Sequence, residues 1–199
     1  MSHKYHAYII YTYMIWSDNP NGPWSDPQVI PSDITIDSNL AGYIYPNGTF
    51  IGILRGYGNI IGMRASNWKD NTTYEIYNTT LNPPNQGEDP FMWIDKNGIL
   101  HSIWHAGGWG VPFGYHRYSN DSGLTWNGYG YHETQTYNNT VYFNDGDIVH
   151  YQRMERPHLI FDKDGYTPIA LTNGCELGSF NQIFYPDYSY TMLRPINQD

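Results

Sequence analysis

Two short acidic segments carry the residues of this chain best suited to chemistry, Gln86-Gly-Glu-Asp-Pro-Phe91 and Arg153-Met-Glu-Arg-Pro-His158. Each sets carboxylates just before a proline, at the head of a stretch that is otherwise apolar. An acid has no packing role in such a place. Carboxyl groups held there can move protons or bind polar ligands. The candidates are Glu88 and Asp89 in the first segment and Glu155 in the second. Neighbours on a strand face opposite ways, so only one of Glu88 and Asp89 can share a direction with Glu155. By register that residue is Glu88.

The elements that must position these groups follow from an internal repeat. Three segments share one design: residues 40–55, 90–105 and 157–172, each a strand, a tight turn and a second strand. The turns Pro46-Asn47-Gly48, Lys96-Asn97-Gly98 and Lys163-Asp164-Gly165 supply the Asn-Gly or Asp-Gly pair that accepts positive φ in a hairpin. Further strands are expected at Tyr8–Trp16, Asn59–Ala65, Phe113–Tyr118, Tyr129–Thr134 and Tyr188–Pro195, and no stretch has sustained helical periodicity. The turn glycines are 50 and 67 residues apart, near the spacing of propeller blades.

The fold class is therefore all-β, a propeller of four-stranded antiparallel blades. Its blades fall at approximately 1–37 (partial), 38–87, 88–153 and 154–199 of a single incomplete domain covering 1–199. A closed ring of even four such blades needs about 230 residues, so the chain is expected to be a truncated piece of a longer propeller or to assemble with a partner. In a propeller the first strand of each blade lines the channel, and the starts of these strands converge on one mouth. The acidic segments open two of the three hairpins; the other reads Asp37-Ser-Asn-Leu40.

Composition agrees. There are 20 Tyr, 7 Trp, 7 Phe, 20 Gly and 13 Pro, a mixture suited to short strands and turns. Most of the rings are expected in the core, and a minority could stack on sugars. A formal net charge of −9 opposes nucleic acid and anionic membranes as partners. Cys175 stands alone, so no intrachain disulfide forms, and no pair of histidines has the compact spacing of a zinc site. No run approaches a membrane span. Five Asn-x-Ser/Thr sequons, from Asn47, Asn71, Asn78, Asn120 and Asn138, tilt the reading toward secretion without fixing the compartment.

Ser119-Asn-Asp-Ser-Gly-Leu-Thr-Trp126 resembles the Asp-box, which in sialidases and other propellers is a structural fastening on an outer hairpin. A degenerate copy runs from Ser17 to Trp24. The segment around Asp18 also resembles the nucleophile motif of invertase-like families, but Asp18 is not adjacent to Pro20, and a solvent-facing turn is expected. Asp89-Pro90 and Glu155-Arg-Pro-His158, one blade apart, resemble the inner-strand motifs of the five-bladed propellers of glycoside hydrolase family 43, which include arabinanases, arabinofuranosidases and xylosidases.

That resemblance implies a carbohydrate substrate, oligo- or polysaccharide, and inverting hydrolysis. Glu155 would be the general acid and Asp89 the carboxylate that tunes and orients it. The family's general base, an Asp at the start of an earlier blade, has no counterpart here. No cofactor is implied beyond room for a structural Ca2+ in the channel. The resemblance favours Asp89 over Glu88 as the residue facing the channel.

Other residues complete the expected mouth. Arg55 and His105 end the second strands of their hairpins, where they could bond sugar hydroxyls or fix a carboxylate. Trp109 could stack on a sugar or cap the sheet. His158 belongs to the second motif. Arg156 should face away from Glu155 if the strand is regular, pairing with substrate or structure. Asn173 lines the mouth or sits in a simple turn. A sialidase is disfavoured because the arginines are scattered, and the competing class is a non-catalytic, carbohydrate-binding or degenerate propeller.

Overall fold

The computed structural model describes residues 12–30, 36–56, 59–82, 87–106, 113–128, 135–177 and 189–196. The three hairpins form as the turns dictate. Gly48, Gly98 and Gly165 adopt φ of 86°, 82° and 73°, the left-handed region that side chains disfavour. The Asp95 carboxylate accepts from the Asn97 and Ile99 amides at 2.9 and 2.8 Å, which fixes the second turn from within.

Each hairpin grows into a sheet. The first is the meander β3 (Ile36–Ile44), β4 (Phe50–Gly56), β5 (Asn59–Ala65) and β6 (Tyr74–Asn78). The second runs β8 (Gly87–Ile94), β9 (Leu100–Ala106), β10 (Phe113–Ser119) and β11 (Thr125–Asn127). It also gains β7 (Thr80–Asn82), parallel to β11, and β12 (Gln135–Asn138), antiparallel to β10. The third is β15 (Arg153–Phe161), β16 (Pro168–Glu176) and β17 (Ser189–Pro195). Two small hairpins stand apart, β1 (Thr12–Met14) with β2 (Gln28–Ile30) and β13 (Thr140–Tyr142) with β14 (Ile148–His150). The one helical element described is a 3-10 turn at Asn71–Thr73, and no helix among the described residues could cross a membrane.

The sheets stack face to face because each central strand is apolar on both sides. On β4, Ile51 and Ile53 enter the core shared with the second sheet, while Phe50 and Leu54 enter the core toward the β1–β2 hairpin. On β9, Leu100 and Trp104 face the first of these cores and Ile103 faces the core shared with the third sheet. Period-two alternation thus builds three cores between four layers. The inner strand β8 touches β3 on one side and β15 on the other, as in a propeller. Of the expected strands, Asn59–Ala65 forms as stated, Phe113–Tyr118 extends by one residue, and the last runs Ser189–Pro195. Only Thr12–Met14 of the first is a described strand, and Tyr129–Thr134 lies outside the described residues.

The turn from Ser119 to Trp126 is closed by its own side chains. Asp121 accepts from the Thr125 amide at 2.9 Å and from its hydroxyl at 2.5 Å, and Ser119 Oγ accepts from the Gly123 amide at 2.8 Å. The Thr79 hydroxyl donates to the Gly123 carbonyl at 2.8 Å, tying the first sheet to the second. The segment from Ser17 to Trp24 differs. Asn19 replaces the aspartate as acceptor, Trp24 is 55% exposed, and Asp18 faces solvent in the turn.

His101 and His116 meet on the inner face of the second sheet, ring nitrogens 2.9 Å apart, with Trp93 stacked against both. Burial, reinforced by His101, lowers the His116 pKa to about 4. The folded state then binds fewer protons than the unfolded chain between pH 6.5 and 4, so stability must fall as pH falls through that window. A loss of roughly 3 kcal/mol at most is expected. Urea midpoints at pH 7 and pH 4.5 should show it, and His116→Gln should flatten the slope.

Candidate functional site

The two acidic segments share one local distortion. In β8, Glu88 pairs with His105 and Phe91 with Ile103, leaving Asp89 and Pro90 opposite one residue. In β15, Glu155 pairs with Gly174 and His158 with Thr172, leaving Arg156 and Pro157 opposite one. Both are β-bulges, and both place a non-glycine residue in the left-handed region: Asp89 at φ 49° and Arg156 at φ 53°. Such strain costs on the order of 1–2 kcal/mol and concentrates at functional sites. The first inner strand is irregular at the same level, between Ile36 and Leu40.

Regular alternation does not carry across either bulge. The extra residue at Asp89 resets the pleat. Arg156 pairs with Asp89, its Nε 4.0 Å from Asp89 Oδ2, with 79% of the side chain exposed.

Glu88 is held on both oxygens. Arg55 Nη1 reaches Oε2 at 2.5 Å, and His105 Nδ1 lies 3.2 Å from Oε1. Of the alternatives open for Arg55 and His105, both fix a carboxylate, and His105 is 1% exposed. Glu88→Gln should therefore cost about 2 kcal/mol by removing the charge from a part-buried ion pair with Arg55. Sugar affinity should stay unchanged if Glu88 is a clamp, as a paired denaturation and calorimetric titration would show.

Asp89 has a different environment. A cavity of about 260 Å³ opens between the inner strands, lined by Asn39 and Leu40 of β3, by Asp89, Pro90 and Phe91 of β8, and by Arg156, Pro157 and His158 of β15. Burial pushes the Asp89 carboxyl pKa up, and the nearby Arg156 guanidinium opposes that shift. The His158 ring sits 4.0 Å from that of Phe91, centroid to centroid, so one wall is aromatic. Glu155 stands beside this lining, on the residue preceding Arg156. Among the described residues none bonds its carboxylate.

Asn173 is 1% exposed and lies under the mouth as part of its support. Its Nδ2 donates to the Glu155 carbonyl at 3.3 Å, and its Oδ1 accepts from Arg194 Nη2 at 2.9 Å. Arg194 and Tyr137 are the residues that sequence reasoning missed. Glu88, His105, Gly114 and Tyr137 form one row of directly paired positions across β8, β9, β10 and β12. A Cβ on Gly114 would sit 2.0 Å from the Tyr137 ring and 2.5 Å from the Trp104 carbonyl, so the glycine makes room for that ring. A glycine inside an expected strand was the available signal. The Tyr137 hydroxyl is buried without a well-aligned hydrogen-bond partner. Burial raises its pKa, as do the charges of Asp89 and Glu155, against the pull of Arg194.

Gly114→Ala should cost about 3 kcal/mol, because the Trp104 backbone cannot yield as a side chain could. Trp109 lies outside the described residues. Among the described residues no group of three or more His, Cys, Asp or Glu side chains could hold a metal ion.

No family model matches the chain, and no curated protein matches it. Among solved structures, it is similar to a mutant of the GH43 protein BlXynB from Bacillus licheniformis, with a TM-score of 0.57 and 19% identity over 94% of this chain. The chain spans 34% of that protein's length. At this identity the likeness is one of fold. The chain shares the all-β propeller fold of that protein.

Proposed function

We propose that the mouth formed by β3, β8 and β15 is a glycosidase-type carbohydrate site, acting on O-glycosidic bonds by inverting acid/base hydrolysis. Glu155 is the general acid that protonates the leaving oxygen. Asp89, whose burial favours the protonated form, tunes and orients it. This reading takes the base from a further blade; the described β3 side chains at the cavity, Asn39 and Leu40, are not acids. Sugar hydroxyls are held by Arg156 and His158, and Phe91 offers an apolar wall. In this reading the turn from Ser119 to Trp126 is an Asp-box fastening.

The observation that carries the reading is the repeated bulge. The same distortion on adjoining inner strands brings Asp89 and Arg156 into one cavity, with Glu155 beside it. That the described β3 side chains at the cavity are Asn39 and Leu40 favours a second reading, a propeller that binds carbohydrate without cleaving it. Aryl arabinosides, xylosides and galactosides, with calorimetric titration of the matching oligosaccharides, separate the two. Turnover establishes the enzyme. Saturable binding without turnover leaves the binding protein, and neither result would retire both readings.

A further inference from the structure

The third sheet carries a polar line that ends on the proposed acid. Arg194 on the outer strand β17 bonds Asn173 on the central strand β16, and Asn173 bonds the main-chain carbonyl of Glu155 on the inner strand β15. Arg194 also lies over the Tyr137 ring of the second sheet, 5.8 Å from its centroid. Asn173 is almost fully buried, and a buried amide bonded at both ends is held in one orientation. The carbonyl it holds belongs to the residue that enters the bulge, directly before Arg156 at φ 53°. A left-handed non-glycine residue persists only where its surroundings impose it. In the second sheet the position matching Asn173 is Trp104, so this support is particular to Glu155.

We propose that Arg194 and Asn173 are positioning residues for Glu155, with Arg194 fixing the Asn173 amide and the amide fixing the bulge beside which the Glu155 carboxyl stands. This assignment rests on the carbohydrate-site reading above. The Tyr137 ring, seated against Gly114, backs the guanidinium and keeps it over Asn173.

The test uses the intact chain and three variants. Asn173→Asp keeps the acceptor for Arg194 and removes the donor to Glu155. Arg194→Met removes the head of the line, and Arg194→Lys restores a single donor. Backbone NMR of the Glu155 carbonyl carbon and the Arg156 amide reads the bulge directly, whether or not the protein turns over. Both resonances should move in Asn173→Asp and Arg194→Met, with partial return in Arg194→Lys. Where turnover is measured, kcat should fall about tenfold with KM little changed, the pattern of a misplaced group rather than lost binding. Unmoved Glu155 and Arg156 resonances in folded Asn173→Asp would overturn the proposal, as would an Arg194→Lys chain indistinguishable from Arg194→Met. If the unaltered chain neither binds nor cleaves sugars, the functional reading falls, and the resonances still decide the positioning.

Discussion

Glu155→Gln is expected to lower turnover of an aryl glycoside by about a thousandfold, the contribution of a well-placed general acid. The amide matches the carboxyl in shape but has no proton to give a leaving oxygen. Because no described residue bonds the Glu155 carboxylate, the exchange should leave the urea midpoint nearly unmoved, which separates chemistry from folding. The loss should shrink for substrates with acidic phenol leaving groups, which depart without protonation. Asp89→Asn should act more weakly and should move the pH profile, since it removes the carboxyl whose proton affinity burial has raised. A Glu155→Gln chain with unchanged turnover would remove Glu155 from the mechanism.

Trp126→Ala should have the largest effect on stability, about 3–5 kcal/mol. Trp126 is fully buried in the core between the first and second sheets. Its Nε1 donates to the Gly123 carbonyl at 3.1 Å, the same oxygen that the Thr79 hydroxyl reaches from the link between β6 and β7. Truncation would empty an aromatic-sized volume and remove one of the hydrogen bonds to that oxygen. A loss of that size is a large share of a typical domain's stability. The urea midpoint should drop and the tryptophan emission should shift. Trp24→Ala, at an exposed position in the related turn, should change the midpoint by less than about 0.5 kcal/mol equivalent. Equal effects at the two positions would contradict the packing described.

The hairpins were legible in the sequence because their signal is local. Apolar residues at period two on β4 and β9, bounded by Asn-Gly or Asp-Gly turns, leave little choice of structure. The bulges were not legible, because alternation reasoning assumes an unbroken pleat. One extra residue at Asp89 and at Arg156 changes which side chains share a face, and only the prolines at positions 90 and 157 hinted at it. Glu88 shows the consequence. Register pairs it with Glu155, yet Arg55 holds it in an ion pair and His105 bonds its other oxygen, whereas Gly174 takes the place of His105 opposite Glu155. Arg194 and Tyr137 carried no motif. They reach the site from an outer strand of the third sheet and from a strand appended to the second, contacts made only by tertiary stacking.

The claim that everything else depends on is that the two bulged strand openings form one sugar site. The most direct measurement is an amide NMR titration of the intact chain with arabino-, xylo- and galacto-oligosaccharides. The account predicts that Asp89, Arg156 and His158 shift together and saturably with one of the three series, with one dissociation constant, and that Asp89→Asn weakens that constant. Saturable shifts confined to residues away from β8 and β15, or no saturable shift with any of the three, would contradict it.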